Sequence, residues 1–249
     1  MRIKLPDIYI QMIVSLLILA AISASQYGAL QISYQLIYAV LPAAVLDLFL
    51  KRYALKKFVV PKSAIITGLL VALVINPGTH WYVLVAASLI AIASKHLIKI
   101  DSRNIFNPAA FGLLAVFMLF GVGDAWWASS SLIAVLVLGL LVAYRIKRLT
   151  TAVTYIAAFD LVFALLNLHL VSASPLALLN PTILFFAFLM LIEHKTSPLT
   201  LRSCIAYSVI VGVLSAAFFA INSHADFLLL ALIFGNLFVA LNNRFRWVR

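Results

Sequence analysis

Ten apolar runs alternate with short polar interruptions along this chain, at 8–25, 32–50, 60–76, 81–98, 107–121, 131–144, 151–171, 178–193, 203–221 and 226–243. Each is predicted to be a membrane-crossing helix, so the pattern reads as an all-α polytopic membrane protein forming one integral membrane domain. The interruptions carry a second pattern. Lys and Arg fall in six groups: Arg2/Lys4, Lys51 to Lys62, Lys95 to Arg103, Arg145 to Arg148, Lys195/Arg202 and Arg244 to Arg249. Every second loop holds one group, whereas 26–31, 77–80, 122–130, 172–177 and 222–225 hold none. Basic loops are retained on the cytoplasmic side, so both termini are expected there and the number of crossings is even.

Composition agrees with lipid as the solvent. The 249 residues are 65% hydrophobic and 10% charged, with a mean hydropathy of +1.15, which leaves too little polar surface for a water-soluble domain of this size. The net charge of +11 follows from topology and attraction to anionic lipid heads, and nucleic acid is not expected as a partner. The start MRIKLPD and the small pair Ala24-Ser25 imitate a secretory leader, but the first run is needed to keep the later loops in phase. A single cysteine, Cys204, excludes an intramolecular disulfide or a multi-cysteine metal centre, and a packing role is expected for it.

Three runs are too short for ordinary crossings. The residues between Lys62 and Asn76, between Pro108 and Asp124, and between Pro181 and Glu193 span roughly 17 to 23 Å against about 30 Å of hydrocarbon. They are predicted to be partial helices whose breaks, Asn76-Pro77-Gly78, Asn107-Pro108 and Thr196-Ser197-Pro198, line a pathway or a cofactor. The same residues also suit plain loop turns. The short segment Gly68 to Pro77 recurs as Phe186 to Thr196 at an offset of about 118 to 120 residues, and five crossings per unit make the two halves, 1–121 and 131–249, inverted repeats.

Polar residues within the runs are candidate chemistry. Asp160 stands in the middle of its run with Asn167 two turns on; the pair reads as a cation relay or as interhelical hydrogen bonding, and Asn76 joins it as an ion-pathway candidate. Asn180 and Asn236 are expected to pack. Asp47, paired with Lys51, and Asp101, Glu193 and Asp226 read as interfacial. His80, His96, His169, His194 and His224 are scattered, so no metal site or haem is expected. Gly68/Ala72 and Gly212/Ala216/Ala220 permit close helix approach. No nucleophile-base pair, phosphate loop or carboxylate pair is found, so the chain has no catalytic motif of its own.

Specific strings narrow the reading. Thr67-Gly-Leu-Leu-Val-Ala-Leu, Trp81-Tyr82, Ser94-Lys95-His96-Leu97, Asn104-Ile-Phe-Asn107-Pro108-Ala-Ala-Phe111-Gly112 and Lys195-Thr196-Ser197-Pro198-Leu-Thr200 resemble, over about residues 60 to 243, one membrane family. It contains the D subunit of the Rnf electron transport complex and the B subunit of the sodium-pumping NADH-quinone reductase. The resemblance implies a ten-helix fold with inverted five-helix halves and a component of an inner (plasma) membrane complex. That complex couples flavin-dependent electron transfer to Na+ or H+ translocation, alongside other subunits. It also implies that Lys95, His96, Asn107, Pro108, Phe111, Thr196, Ser197, Pro198 and Thr200 line the central site. Family members hold FMN covalently on a threonine in an outer Ser-Gly-Ala-Thr loop, but here residues 121–130 read GVGDAWWASS. A bound flavin is therefore expected to be FMN or riboflavin held non-covalently. The inverted-repeat plan would serve a channel or transporter for a small polar solute equally well, which is the alternative reading.

Overall fold

The computed structural model describes residues 7–56, 58–100, 103–166, 180–193, 195–198, 200–221 and 226–245. Among them are ten α-helices: α1 (Ile8–Tyr27), α2 (Ala29–Leu55), α3 (Lys62–Val74), α4 (Trp81–Leu97), α5 (Pro108–Phe120), α6 (Leu132–Arg145), α7 (Leu149–Leu166), α8 (Pro181–Phe185), α9 (Leu201–Ala220) and α10 (Phe227–Phe245). Four of these, α1, α2, α7 and α9, are long and apolar enough to cross a bilayer, and the others are shorter apolar helices. The chain is a multi-pass membrane protein. A two-residue hairpin, β1 (Lys99–Ile100) and β2 (Arg103–Asn104), joins α4 to α5.

The end of α3 and the segment around α8 are the most buried. Leu69 to Ile75 at the end of α3 and Ile183 to Ile192 around α8 are each no more than 5% exposed, while α1, α2 and α7 turn Leu17, Leu41 and Leu161 outward. In lipid the driving force inside the bundle is close packing, not expulsion of apolar groups from water. Glycines at the helix contacts supply it, three of them as follows. Gly68 lies against the backbone of Ala39 and Val40 in α2, Gly112 against Ala87 and Ala91 of α4, and Gly235 against Val211 and Tyr207 of α9. The helix pairings recur along the chain: α2 packs on α4 and α4 on α5, as α7 packs on α9 and α9 on α10.

A helix that ends inside protein leaves carbonyls to be satisfied. For α3 the loop after α5 does this: Ala125 and Trp126 donate their N–H groups to Val74 O (2.8 and 3.1 Å), and Ile75 bridges Asp124. Trp126 takes the left-handed conformation at φ 44°, which turns the loop back so that both indoles point inward. Trp127 Nε1 then donates to Ala72 O (2.7 Å) and Trp126 Nε1 to Asp226 Oδ2 (2.6 Å). Asp226, read from sequence as interfacial, is buried and caps α10 through Leu228 and Leu229 N–H.

The charged contacts gather described members of the middle basic groups on one face. Lys62 pairs with Asp7, and Lys51, Lys95 and His96 converge on Asp47. Arg103 donates to Ser197 O, and Arg148 to Pro198 O. The described parts of the uncharged loops meet at the other end, where Ser23 reaches Trp127 O and Ser130, and Gln35 reaches Asn76 O. Asp47 corrects the sequence reading, because it is fully buried, not interfacial; the α2–α4 packing brings Lys95 and His96 onto it, which spacing along the chain does not reveal.

Candidate functional site

α8 does not continue as an α-helix. It passes into a π-helical turn over Phe186–Met190, a device that frees a carbonyl from the regular ladder. The loose oxygens are taken from outside: Asn107 Nδ2 donates to Met190 O (3.2 Å) and the Tyr207 hydroxyl to Leu191 O (3.4 Å). Asn236 connects the two donors, accepting from Asn107 N (2.7 Å) and donating to the Tyr207 hydroxyl (3.2 Å). Asn107 also caps α5, its Oδ1 accepting from Ala110 N (3.1 Å). Pro108 suits the first helical position, where no N–H is required. α5, α9 and α10 are thus tied to the broken segment by three buried polar side chains.

Against this lock lies a cavity of about 280 Å³ lined by Met12 of α1, Thr67 of α3, Asn107 and Pro108, Leu189, Glu193 and Lys195, among others. Its walls are mostly apolar. A smaller cavity of about 110 Å³, also lined by Lys195, holds Arg103, Asn104, Thr196 and Asn236. Asn104 is 6% exposed and its Nδ2 meets no acceptor, a state that costs about 1–3 kcal/mol in a buried amide. Burial, and then the nearby Arg148, work against the Arg103 cation.

The sequence candidates therefore separate. Asn107 and Pro108 line the larger cavity and Thr196 the smaller. Ser197 is buried and donates to Glu193 O (2.8 Å), and the Pro198 carbonyl accepts from Arg148; both shape the turn. Thr200 is exposed and caps α9 through Ser203 N. Phe111 stacks on Phe106 at 5.6 Å. Lys95 and His96 line neither cavity. Lys95 Nζ lies 3.1 Å from Asp47 Oδ1 and 2.7 Å from Ser63 Oγ, and His96 Nε2 is 2.8 Å from Asp47 Oδ1. Ser63 borders the larger cavity, so Lys95 touches it only at second hand. Asn76 is exposed at the opposite end, its carbonyl accepting from Gln35 and Thr79. Asp160 is half-buried in α7 and lines neither cavity. Asn167, Asp101, His169, His194 and His224 lie outside the described residues.

The sequence pattern assigns Asn236 to packing and gives Tyr207 no role. The available signal is polarity alone, and their task appears only once α9 and α10 are seen to flank the π turn. Cys204 is buried as expected, with an Arg148 guanidinium N–H 2.8 Å from its sulfur.

The family model described as "NQR2, RnfD, RnfE family" matches residues 1–129, which contain the Asn107 lock's first half and most of the larger cavity's wall. The chain belongs to this family. Among similar proteins, the D subunit of the ion-translocating oxidoreductase complex of Shigella dysenteriae is 32% identical over 105 residues, covering 42% of this chain and 30% of that protein. The D subunit of the proton-translocating ferredoxin:NAD(+) oxidoreductase complex of Clostridium ljungdahlii is 32% identical over 98 residues, covering 39% and 30%. The D subunit of the Cronobacter sakazakii ion-translocating oxidoreductase complex is 31% identical over 121 residues, covering 48% and 35%. The chain thus spans about a third of the length of these NQR2/RnfD/RnfE relatives. The family match ends before the Lys195-to-Thr200 string, so that part of the resemblance rests on its own residues.

Proposed function

We propose that this chain is a membrane subunit of an electron-transport complex that couples electron transfer to translocation of a cation, Na+ or H+. The observation that carries this reading is the lock on the π turn: the asparagine-proline of the family string holds a non-helical carbonyl inside the bundle, beside a cavity. Irregular backbone inside a membrane bundle is typical of ion and cofactor pathways. The relatives' names, which describe ion-translocating complexes, support the coupling and the presence of other subunits as partners.

The gathering of basic side chains on one face supports an inner (plasma) membrane orientation with both termini cytoplasmic. The recurring pairings α2–α4–α5 and α7–α9–α10 support two inverted halves, 1–121 and 131–249. In this reading Asn76 marks the outer end of the pathway and Asp160, with Asn167, its interior.

A non-covalent flavin, FMN or riboflavin, suits the larger cavity, whose volume is near the lower end of the roughly 300–1,000 Å³ of small-molecule sites. When bound, a flavin supplies exchange between one- and two-electron carriers. Met12 and Leu189 give apolar walls, Lys195 offers positive charge at the rim, and Asn107, already engaged with Met190 O, fixes the wall's shape. The outer loop offers a covalent flavin no threonine: Ser129 Oγ donates to Trp126 O and faces Thr182, and Ser130 faces Ser23. Acid-denatured protein on a gel is therefore expected to show no flavin fluorescence, while mild extraction of the native protein releases it. A fluorescent band at the chain's mass would refute non-covalent binding.

Asp160 tests the coupling. If it relays a cation, Asp160→Asn abolishes cation uptake by vesicles at matched expression and electron-transfer rate. Asparagine keeps an acceptor and adds donors, so unchanged uptake would assign Asp160 to hydrogen bonding alone.

A further inference from the structure

Asp47 is a fully buried carboxylate with more cationic neighbours than its one charge requires. Lys51 Nζ lies 2.6 Å from its Oδ2, while Lys95 Nζ at 3.1 Å and His96 Nε2 at 2.8 Å meet the same Oδ1. The His96 side chain keeps 21% of its surface exposed on the basic face, whereas that of Lys95 keeps 6%. Beside them the packing is apolar, with Ala43, Ala64 and Ile92 buried against Leu46 and Leu50. Lys95 also donates to Ser63 Oγ at 2.7 Å, and Ser63 borders the larger cavity, as does Glu193. Among the described residues nothing accepts the Ser63 hydroxyl proton. The Lys95 charge acts on the Glu193 carboxylate more strongly than that of Lys195, two residues along the chain.

We infer that His96, Asp47, Lys95 and Ser63 form a proton-input route from the basic face to the larger cavity, with the Glu193 carboxylate as its terminal acceptor. Each side-chain link is within hydrogen-bond reach, the geometric requirement for proton transfer, and ionisable groups inside a membrane bundle serve such relays. The transfer conserves protons. Lys95 gives an N–H proton to Ser63 Oγ as the hydroxyl releases its own into the cavity, where a space of about 280 Å³ has room for water to carry it to Glu193. The amine is refilled through Asp47 Oδ1 from protonated His96, which takes the replacement from water. An imidazole suits the entry because it binds and releases protons near neutral pH. Lys51, on the other oxygen, keeps Asp47 ion-paired while Lys95 is neutral. An ion pair that served structure alone would need neither a second partner on Oδ1 nor a contact continuing to the cavity wall. The route goes beyond the proposed function, since it requires neither flavin nor partner subunit, and its side chains are separate from Asp160.

The test uses the full chain in phosphatidylcholine nanodiscs, with protons released by a light-triggered caged acid and the carboxylic acid C=O bands followed by infrared spectroscopy. Glu193→Gln is expected to remove one band, which assigns it. In the native chain this band is expected to grow after the flash. His96→Gln and Ser63→Ala are each expected to slow its growth at least about tenfold while full amplitude is still reached at equilibrium, a split that a merely structural role would not give. Added imidazole is expected to restore the rate in His96→Gln and not in Ser63→Ala. The latter variant, which removes one oxygen at a half-buried position, serves where His96→Gln does not fold. Native rates in the folded variants would show that water reaches Glu193 by the cavity mouth and would overturn the proposal. Failure of imidazole to restore His96→Gln, or bands untouched by Glu193→Gln, would overturn it as well.

Discussion

Gly112→Ala is expected to lose most of its folded yield, the largest effect of any single methyl addition in the chain. A Cβ at this position would run into the Ala87 carbonyl oxygen and lie 2.8 Å from Ala91 Cβ. The obstacle is the backbone of a neighbouring helix, which cannot rotate away, so α4 and α5 must separate. Overpacking costs typically about 1–3 kcal/mol, occasionally more, and here the movement also pulls Asn107, five residues earlier at the start of α5, away from Met190. Gly235→Ala provides the internal comparison. Its Cβ would meet chiefly Val211 Cγ2, the end of a side chain, and a smaller loss is expected. Detergent-solubilised yield and thermal unfolding of the two variants check the order; Gly112→Ala at wild-type stability would contradict the α4–α5 packing.

Asn107→Ala is expected to destabilise the protein by about 2–4 kcal/mol, the sum of a lost helix cap and a buried carbonyl left without its side-chain donor. Ala110 N loses its partner, and Met190 O keeps only the longer contact from Glu193 N (3.4 Å). Because the backbone N–H of residue 107 still reaches Asn236, the loss should couple to Asn236→Leu: the double variant is expected to be less destabilised than the two single ones added together. Unfolding measured on all four proteins closes this cycle, and strict additivity would argue against a shared network. Membrane hydrogen bonds average only about 0.6 kcal/mol in cycles of this kind, so a large Asn107 effect is specific evidence for the cap and the π turn acting together.

The helices are legible in the sequence because hydropathy acts over whole segments, and the described helices start and end within a few residues of the apolar runs. The shortness of α3, α5 and α8 is legible for the same reason. Side-chain destinations are less so. Lys95 and His96 read as central, yet α2–α4 packing delivers them to Asp47, a carboxylate whose apparent partner in sequence is Lys51. Thr200 reads as part of a binding string and is a helix cap, because a threonine before an apolar run serves both purposes equally. The two tryptophans of the loop after α5 carry no sequence signal for their role, which depends on the carbonyls that α3 leaves open. A tyrosine in an apolar run is ordinary, and only the π turn gives the Tyr207 hydroxyl a task.

As proposed above, this chain works within an electron-transport complex and does not transport on its own. The most direct test of this is purification of the tagged chain from native membranes under mild detergent, followed by absorption spectroscopy and reconstitution into vesicles. Redox-cofactor-bearing subunits are expected to co-purify in fixed ratio, and cation uptake to occur only when a reductant drives electron flow. A flavin-free chain that purifies alone and conducts a small solute without any reductant would contradict the claim.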